Sequence, residues 1–256
     1  MKLNTYSTMA TLISALCLTA GAQTIYSGNG ATGFGGPVGT GSLTISDTAS
    51  SLTLTFNRGS GAFNDDLVLY LDTQPGGFTD TSTFSDNGDG GRTAISGYNA
   101  GNPSRSVVSF ASGFTADYAF SIENGFIGVD QLASGGNNSL NYLFGQSQSG
   151  NNLATSYSIT LTAAQMSLIG LTADSGQTFS FVGSLTSTSA YRANETIGAS
   201  TTIPSGGSDP NAGFNGQQNF SAADSYTLIQ PAPEPTSLAL AGLSGCLTLL
   251  ALRRRK

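Results

Sequence analysis

The chain has no histidine and no tryptophan among its 256 residues, and only two cysteines. Without histidine there is no Ser-His-Asp or Cys-His catalysis, and the commonest transition-metal ligand is missing. Without tryptophan, a sugar-binding face must rely on tyrosine: Tyr70, Tyr98, Tyr118, Tyr142, Tyr157 and Tyr191 are available. Cys17 and Cys246 both lie near the ends, so the body between them is expected to carry no disulfide. Cations are scarce as well. Of nine Lys and Arg, Lys2 and the last four residues are terminal, which leaves Arg58, Arg92, Arg105 and Arg192. All fifteen acids lie between Asp47 and Glu234, so four cations face fifteen acids once the ends are set aside, a net charge of −11. A body this acidic repels nucleic acid and anionic lipid. It suits solubility outside a cell and attracts divalent cations. No nucleophile elbow, phosphate loop or metal motif is present, and there is no internal repeat. No enzyme activity is expected.

The N-terminus carries Lys2, then a mostly apolar or small run from Met9 to Leu18, then Thr19-Ala20-Gly21-Ala22. A basic start, a short apolar run and a small-x-small site make a secretory signal peptide. Ala20 and Ala22 are the residues a signal peptidase reads, which places cleavage after Ala22. The C-terminus reads Pro233-Glu234-Pro235, then an apolar stretch from Leu238 to Leu252, then Arg253, Arg254, Arg255 and Lys256. As a helix that stretch is about 22 Å long, against a bilayer core of about 30 Å. It holds transiently and spans poorly. Four terminal cations stay on the cytoplasmic side, which puts the body outside.

Those three parts, in that order, resemble the PEP-CTERM sorting signal. The resemblance covers about the last 26 residues. It implies recognition by an exosortase, cleavage near Pro233, Glu234 and Pro235, and transfer to the surface or extracellular polysaccharide of a Gram-negative bacterium. Membrane contact is then limited to the C-terminal helix. The expected organisation is a signal peptide over 1–22, a body over 23–230 and a sorting signal over 231–256.

The body is rich in Gly, Ser, Thr and Asn, and apolar residues alternate within it. Leu52, Leu54 and Phe56 alternate with threonines, as do Tyr157, Ile159 and Leu161 with Ser158 and Thr160. Each is a period-two strand with one buried face. Leu43-Thr44-Ile45 is a shorter case. Residues 67–71 are continuously apolar and predict a central strand covered on both faces. Strands are also expected at 107–110, 118–122, 178–182 and 226–229. Asn-Gly pairs at 29–30, 87–88, 124–125 and 215–216, and Asn57-Arg58-Gly59, read as turns supplying positive φ. Thr162-Ala163-Ala164-Gln165 has the form of a capping box and predicts one short helix ending at Gly170. Residues 204–219 read as loop. The fold expected is an all-β, antiparallel two-sheet sandwich of jelly-roll type, with that helix plus a signal helix and an apolar helix at the ends.

Three constellations are candidates for chemistry. In Asn64-Asp65-Asp66-Leu67-Val68-Leu69-Tyr70-Leu71-Asp72-Thr73, carboxylates flank an apolar strand. The segment is similar to a strand of carbohydrate-binding family 9 and DOMON-type sandwiches, which implies a ligand role for Asp65, Asp66 and Asp72. Those families often place Trp at the ligand face, and this chain has none. Asp86, Asn87 and Asp89 set oxygen donors in a Gly-rich turn, which suits Ca2+, although the spacing is not that of an EF-hand. Paired carboxylates among Asp65, Asp66, Asp72, Glu123 and Glu195 are the groups glycoside hydrolysis would require. Arg92, Arg105 and Arg192 are expected to pair with carboxylates.

Overall fold

A computed structural model describes residues 23–101 and 104–230. The helices expected at the two ends lie outside the described residues. So do Ala20, Ala22, Pro233, Glu234, Pro235 and the terminal cluster Arg253, Arg254, Arg255 and Lys256.

In chain order the elements are β1 (Gln23–Ser27), β2 (Ser42–Thr48), β3 (Ser51–Asn57), β4 (Asp66–Asp72), α1 (Gly90–Ser96), β5 (Tyr98–Asn99) and β6 (Ser104–Arg105). Then follow β7 (Val107–Ser109), β8 (Tyr118–Ile122), β9 (Phe126–Gln131), β10 (Asn141–Ser147), β11 (Ser156–Thr162) and α2 (Ala163–Leu168). The last are β12 (Thr178–Thr186), β13 (Arg192–Ile197), β14 (Ser200–Ile203), β15 (Gln217–Phe220) and β16 (Asp224–Thr227).

The fold is an all-β sandwich. One sheet has the order β1-β2-β3-β11 and is antiparallel throughout. Its inner face carries the alternating apolar residues: Leu43 and Ile45, then Leu52, Leu54 and Phe56, then Tyr157, Ile159 and Leu161, all buried. Serines and threonines fill the other face, where Thr53 and Thr160 hydroxyls meet at 2.9 Å across the strands. The larger sheet runs β10-β9-β8-β4-β12. Beyond β12 its edge is shared, with β16 along Thr178–Phe181 and β13 along Gly183–Thr186.

The reading of residues 67–71 as a strand covered on both sides holds. Leu67, Leu69 and Leu71 face the core between the two sheets, and Val68 and Tyr70 face a second core. That second core is closed by α1 and by residues such as Phe84, Ile95, Val108 and Phe114, which lie in the long excursion between β4 and β8. Burying a Leu or Phe side chain is worth about 1.5–3 kcal/mol, so a strand that buries both faces is strongly anchored in the sheet.

Several expectations are corrected. There are two helices, not one, and the second, α1, begins just past the expected Asn87-Gly88 turn. Residues 217–219, expected as loop, belong to strand β15, and β15 runs parallel to β7, so the pairing is not antiparallel everywhere. Of the glycines read as turn formers after Asn, Gly30 takes positive φ (81°), whereas Gly59, Gly88, Gly125 and Gly216 do not. The α2 capping box is present as predicted: the Gln165 backbone N–H donates to Thr162 Oγ1, and the Thr162 N–H donates to Gln165 Oε1. Gly170, at φ 73°, follows the helix end.

Candidate functional site

The site is built on the second face of the larger sheet, where α1 rests. Asp89 caps this helix by accepting from the Arg92 N–H at 2.8 Å. Gly91 then lies against β8. A Cβ at that position would stand 2.7 Å from Ser121 Oγ, so the helix packs closely on the strand here and a larger residue would make the serine hydroxyl shift. Gly97, in the left-handed region at φ 65°, closes the helix.

Asp86 fastens the helix and a neighbouring loop together. Its Oδ1 accepts from the backbone N–H groups of Gly88 and Asn138, and its Oδ2 from Arg92 Nη1 at 2.8 Å and the Leu140 N–H at 2.9 Å. Burial pushes this carboxyl up, but those four donors outweigh it and hold it below the ordinary carboxylate value. Arg92 Nη1 also donates to the Leu140 carbonyl, and the same guanidinium reaches Asp89 at 3.3 Å and Asp130 at 3.6 Å.

Beside this anchor lies a recess of about 340 Å3. Ser121 on β8 and Gly128 on β9 line it. Strand register sets its walls. Asp130 pairs with Tyr142 across β9 and β10, and the Glu123 N–H donates to the Phe126 carbonyl at the β8–β9 turn. Phe126 is 37% exposed and Tyr142 50% exposed. The Phe126 ring lies over Gly145, where a Cβ would sit 2.3 Å from the ring, so a larger residue there would displace the aromatic face.

Three carboxylates border the recess: Asp89, Glu123 and Asp130. Asp130 is 4% exposed, and its Oδ1 accepts no hydrogen bond. Burial raises this carboxyl to about 6 against the pull of Arg92, helped by the charges of Asp89 and Asp86. Burial also raises Glu123, with Asp89 adding to it. Behind Glu123 lies Asp66, beside it by continuation of the Leu67–Ile122 pairing. Asp66 is buried, its Oδ2 has no hydrogen-bond partner, and burial raises it well above the usual range, the charges of Glu123, Asp65 and Asp89 following in that order.

The other sequence candidates are dispersed. Asp65 and Asp66 stand at one end of β4 and Asp72 at the other, roughly 20 Å away along an extended strand. Asp72 accepts from the Thr115 N–H and borders a separate shallow recess. Glu195, a candidate acid, is fully buried in a structural role: Oε1 accepts from the N–H groups of Phe34 and Gly36, Oε2 from those of Val38 and Gly39, all at 2.7–3.0 Å. In the set considered for Ca2+, Asp86 has four donors on its carboxylate, Asp89 caps α1, and the Asn87 N–H donates to Asn137 Oδ1. Among the described residues no group of three or more His, Cys, Asp or Glu is placed to hold a metal ion.

Only one of the three arginines expected to pair with carboxylates does so. Arg92 pairs as described. Arg105 donates to the Phe84 carbonyl and Ser85 Oγ and lies 4.9 Å from the Tyr98 ring centre. Arg192 is fully buried and donates to the hydroxyls of Ser184 and Thr186, at 2.8 and 2.7 Å. Neither meets a carboxylate among the described residues. At Arg105 a backbone carbonyl and a hydroxyl stand in for the anion, whereas at Arg192 both hydroxyls reach Nη1 and the buried Nε and Nη2 have no hydrogen-bond partner. Of the tyrosines available as sugar platforms, Tyr70, Tyr118 and Tyr157 are core residues, while Tyr142 opens onto the recess.

Sequence reasoning missed Phe126 and Asp130. The signal that finds them is the alternation Phe126-Ile127-Gly128-Val129-Asp130, in which Ile127 and Val129 are buried in the core and the three intervening residues line the recess. No family model, no curated protein and no solved structure matches the chain.

Proposed function

We propose that the chain is an exported surface or extracellular-matrix protein with a structural or adhesive role. It passes a signal peptidase, is held briefly in the inner membrane by its C-terminal helix, and is handed by an exosortase to the cell surface or its polysaccharide. In this reading the sandwich is of jelly-roll type, flanked by a signal helix and an apolar helix. The observation that carries it is the sequence of the tail, in which Pro233-Glu234-Pro235, a marginal apolar stretch and four terminal cations follow one another. The geometry of the body supports it. Cleavage after Ala22 leaves all of β1 paired with β2. At the other end the Ile229 N–H donates to Asp47 Oδ2 at 2.8 Å, and the Ile229 carbonyl accepts from Gly176. A cut near Pro233 costs the body neither bond. The cysteine-free body needs no oxidative folding step after export.

A second reading, a carbohydrate-binding module of the envelope, is favoured by the aromatic-walled recess beside α1. The sorting reading is tested by replacing Pro233 and Pro235 together with alanine in the producing cell. The expected result is an uncleaved, membrane-retained chain; unchanged processing and release would refute it.

A further inference from the structure

We infer that the recess bounded by Phe126, Tyr142 and Asp130 binds an uncharged saccharide, its ring stacked on the aromatic faces and its hydroxyls donating to Glu123 and Asp130. This deepens the adhesive part of the function proposed above and rests on it for where the ligand is met.

Three observations converge on that chemistry. The first is apolar. Two aromatic side chains on adjacent strands stand 37% and 50% exposed at one opening, in a chain whose other large aromatics are mostly buried. The Phe126 ring lies over Gly145 and 3.5 Å from where a Cβ on Gly128 would stand. Such half-exposed rings match the C–H face of a pyranose.

The second is a shortage of donors. Asp130 is buried, yet its Oδ1 has no hydrogen-bond partner, and the nearest cation, Arg92 Nη2, is 3.6 Å away. The neighbouring Arg92 Nη1 is already committed to Asp86 and the Leu140 carbonyl. Asp130 Oδ1 is closed off from the recess, so the ligand does not meet it; what the ligand meets is a lining whose carboxylates Asp89, Glu123 and Asp130 only accept when ionised. The ligand must therefore bring O–H or N–H groups, and saccharide hydroxyls do so in vicinal pairs.

The third is charge. Asp89, Glu123 and Asp130 border the recess, which excludes uronate, sulfate and phosphate groups by repulsion. Arg92 occupies the position from which a ligand cation would pair with Asp130, so an ammonium gains little there. A volume of about 340 Å3 lies at the small end for ligand pockets, which run to about 1,000 Å3, and holds about one or two rings.

The test is a glycan array probed with the full chain in mild detergent, followed by titration with the best neutral oligosaccharide. The expected result is saturable binding to neutral glycans and none to uronate-rich or sulfated ones. Tyr142→Ala and Asp130→Asn should each weaken binding about tenfold or more. Tyr142 is half exposed, so its variant folds, and an unchanged urea midpoint verifies that. Absence of binding to any neutral glycan, a preference for anionic or amine-bearing glycans, or binding that survives both substitutions would overturn the inference. This result is independent of export. Chains that bind glycan but are never cut would refute sorting and leave the site standing, and cut chains that bind no glycan would do the reverse.

Discussion

Replacing Glu195 with glutamine should destabilise the body by about 3–6 kcal/mol. The side chain is fully buried, and its two oxygens take four backbone N–H groups from the loop between β1 and β2. Within that loop Gly35 and Gly36 take positive φ, 100° and 93°, the conformation that lets successive N–H groups turn toward one anion. Glutamine is isosteric, so no cavity opens. It keeps one oxygen, for two of the donors, and presents an NH2 to the other two. Two hydrogen bonds to a charged acceptor, at about 1.5–3 kcal/mol each, are lost. Against a typical total of about 5–15 kcal/mol this is a large fraction. For a domain of this size the melting point should fall by roughly 6–24 °C. Urea unfolding followed by tyrosine fluorescence suits a chain with nine tyrosines and no tryptophan. The midpoint should drop with the slope unchanged. A loss below about 1 kcal/mol would show that the loop is held by other contacts and not by the Glu195 carboxylate.

Stability should peak near pH 4 and not at neutrality. Burial raises Asp130 to about 6 and also raises Glu123 and Asp66. Stability from keeping Asp130 neutral is therefore complete below its unfolded value, about 3.9, and is lost as pH rises through about 6, an effect on the order of 3 kcal/mol. Asp86, held low by its four donors, acts oppositely: its contribution is present above about pH 4 and is lost on acidification below that. Urea midpoints from pH 3 to pH 8 should trace this maximum, and a steady rise to pH 8 would contradict it. Thr162→Ala removes the acceptor for the Gln165 N–H and should cost about 0.5–2 kcal/mol, seen as faster amide exchange across Ala163–Leu168. Exchange unchanged in that helix would mean the cap is dispensable.

The parts of the fold legible in the sequence are those where local pattern and tertiary demand agree. β2, β3 and β11 alternate because one face meets the core and the other meets water. β4 is apolar throughout because both of its faces are covered, and α2 announces itself through Thr162 and Gln165. The hidden parts are those where a neighbour overrides local preference. Gly90-Gly91 is a poor helix start on propensity, yet at Gly91 α1 packs closely against Ser121. β13 reads as polar because Arg192 and Glu195 are buried there on partners from β12 and from the loop after β1, information no window of sequence contains. The recess was illegible for the same reason. Phe126, Asp130 and Tyr142 meet only through the pairing of β9 with β10, and the donor missing from Asp130 is visible only once its surroundings are built.

Mass spectrometry of the chain recovered from producing cells tests the central claim most directly. The expected species is a surface or extracellular product that begins at Gln23 and lacks Arg253, Arg254, Arg255 and Lys256. A cytosolic chain still carrying Met1 and Lys256 would contradict it.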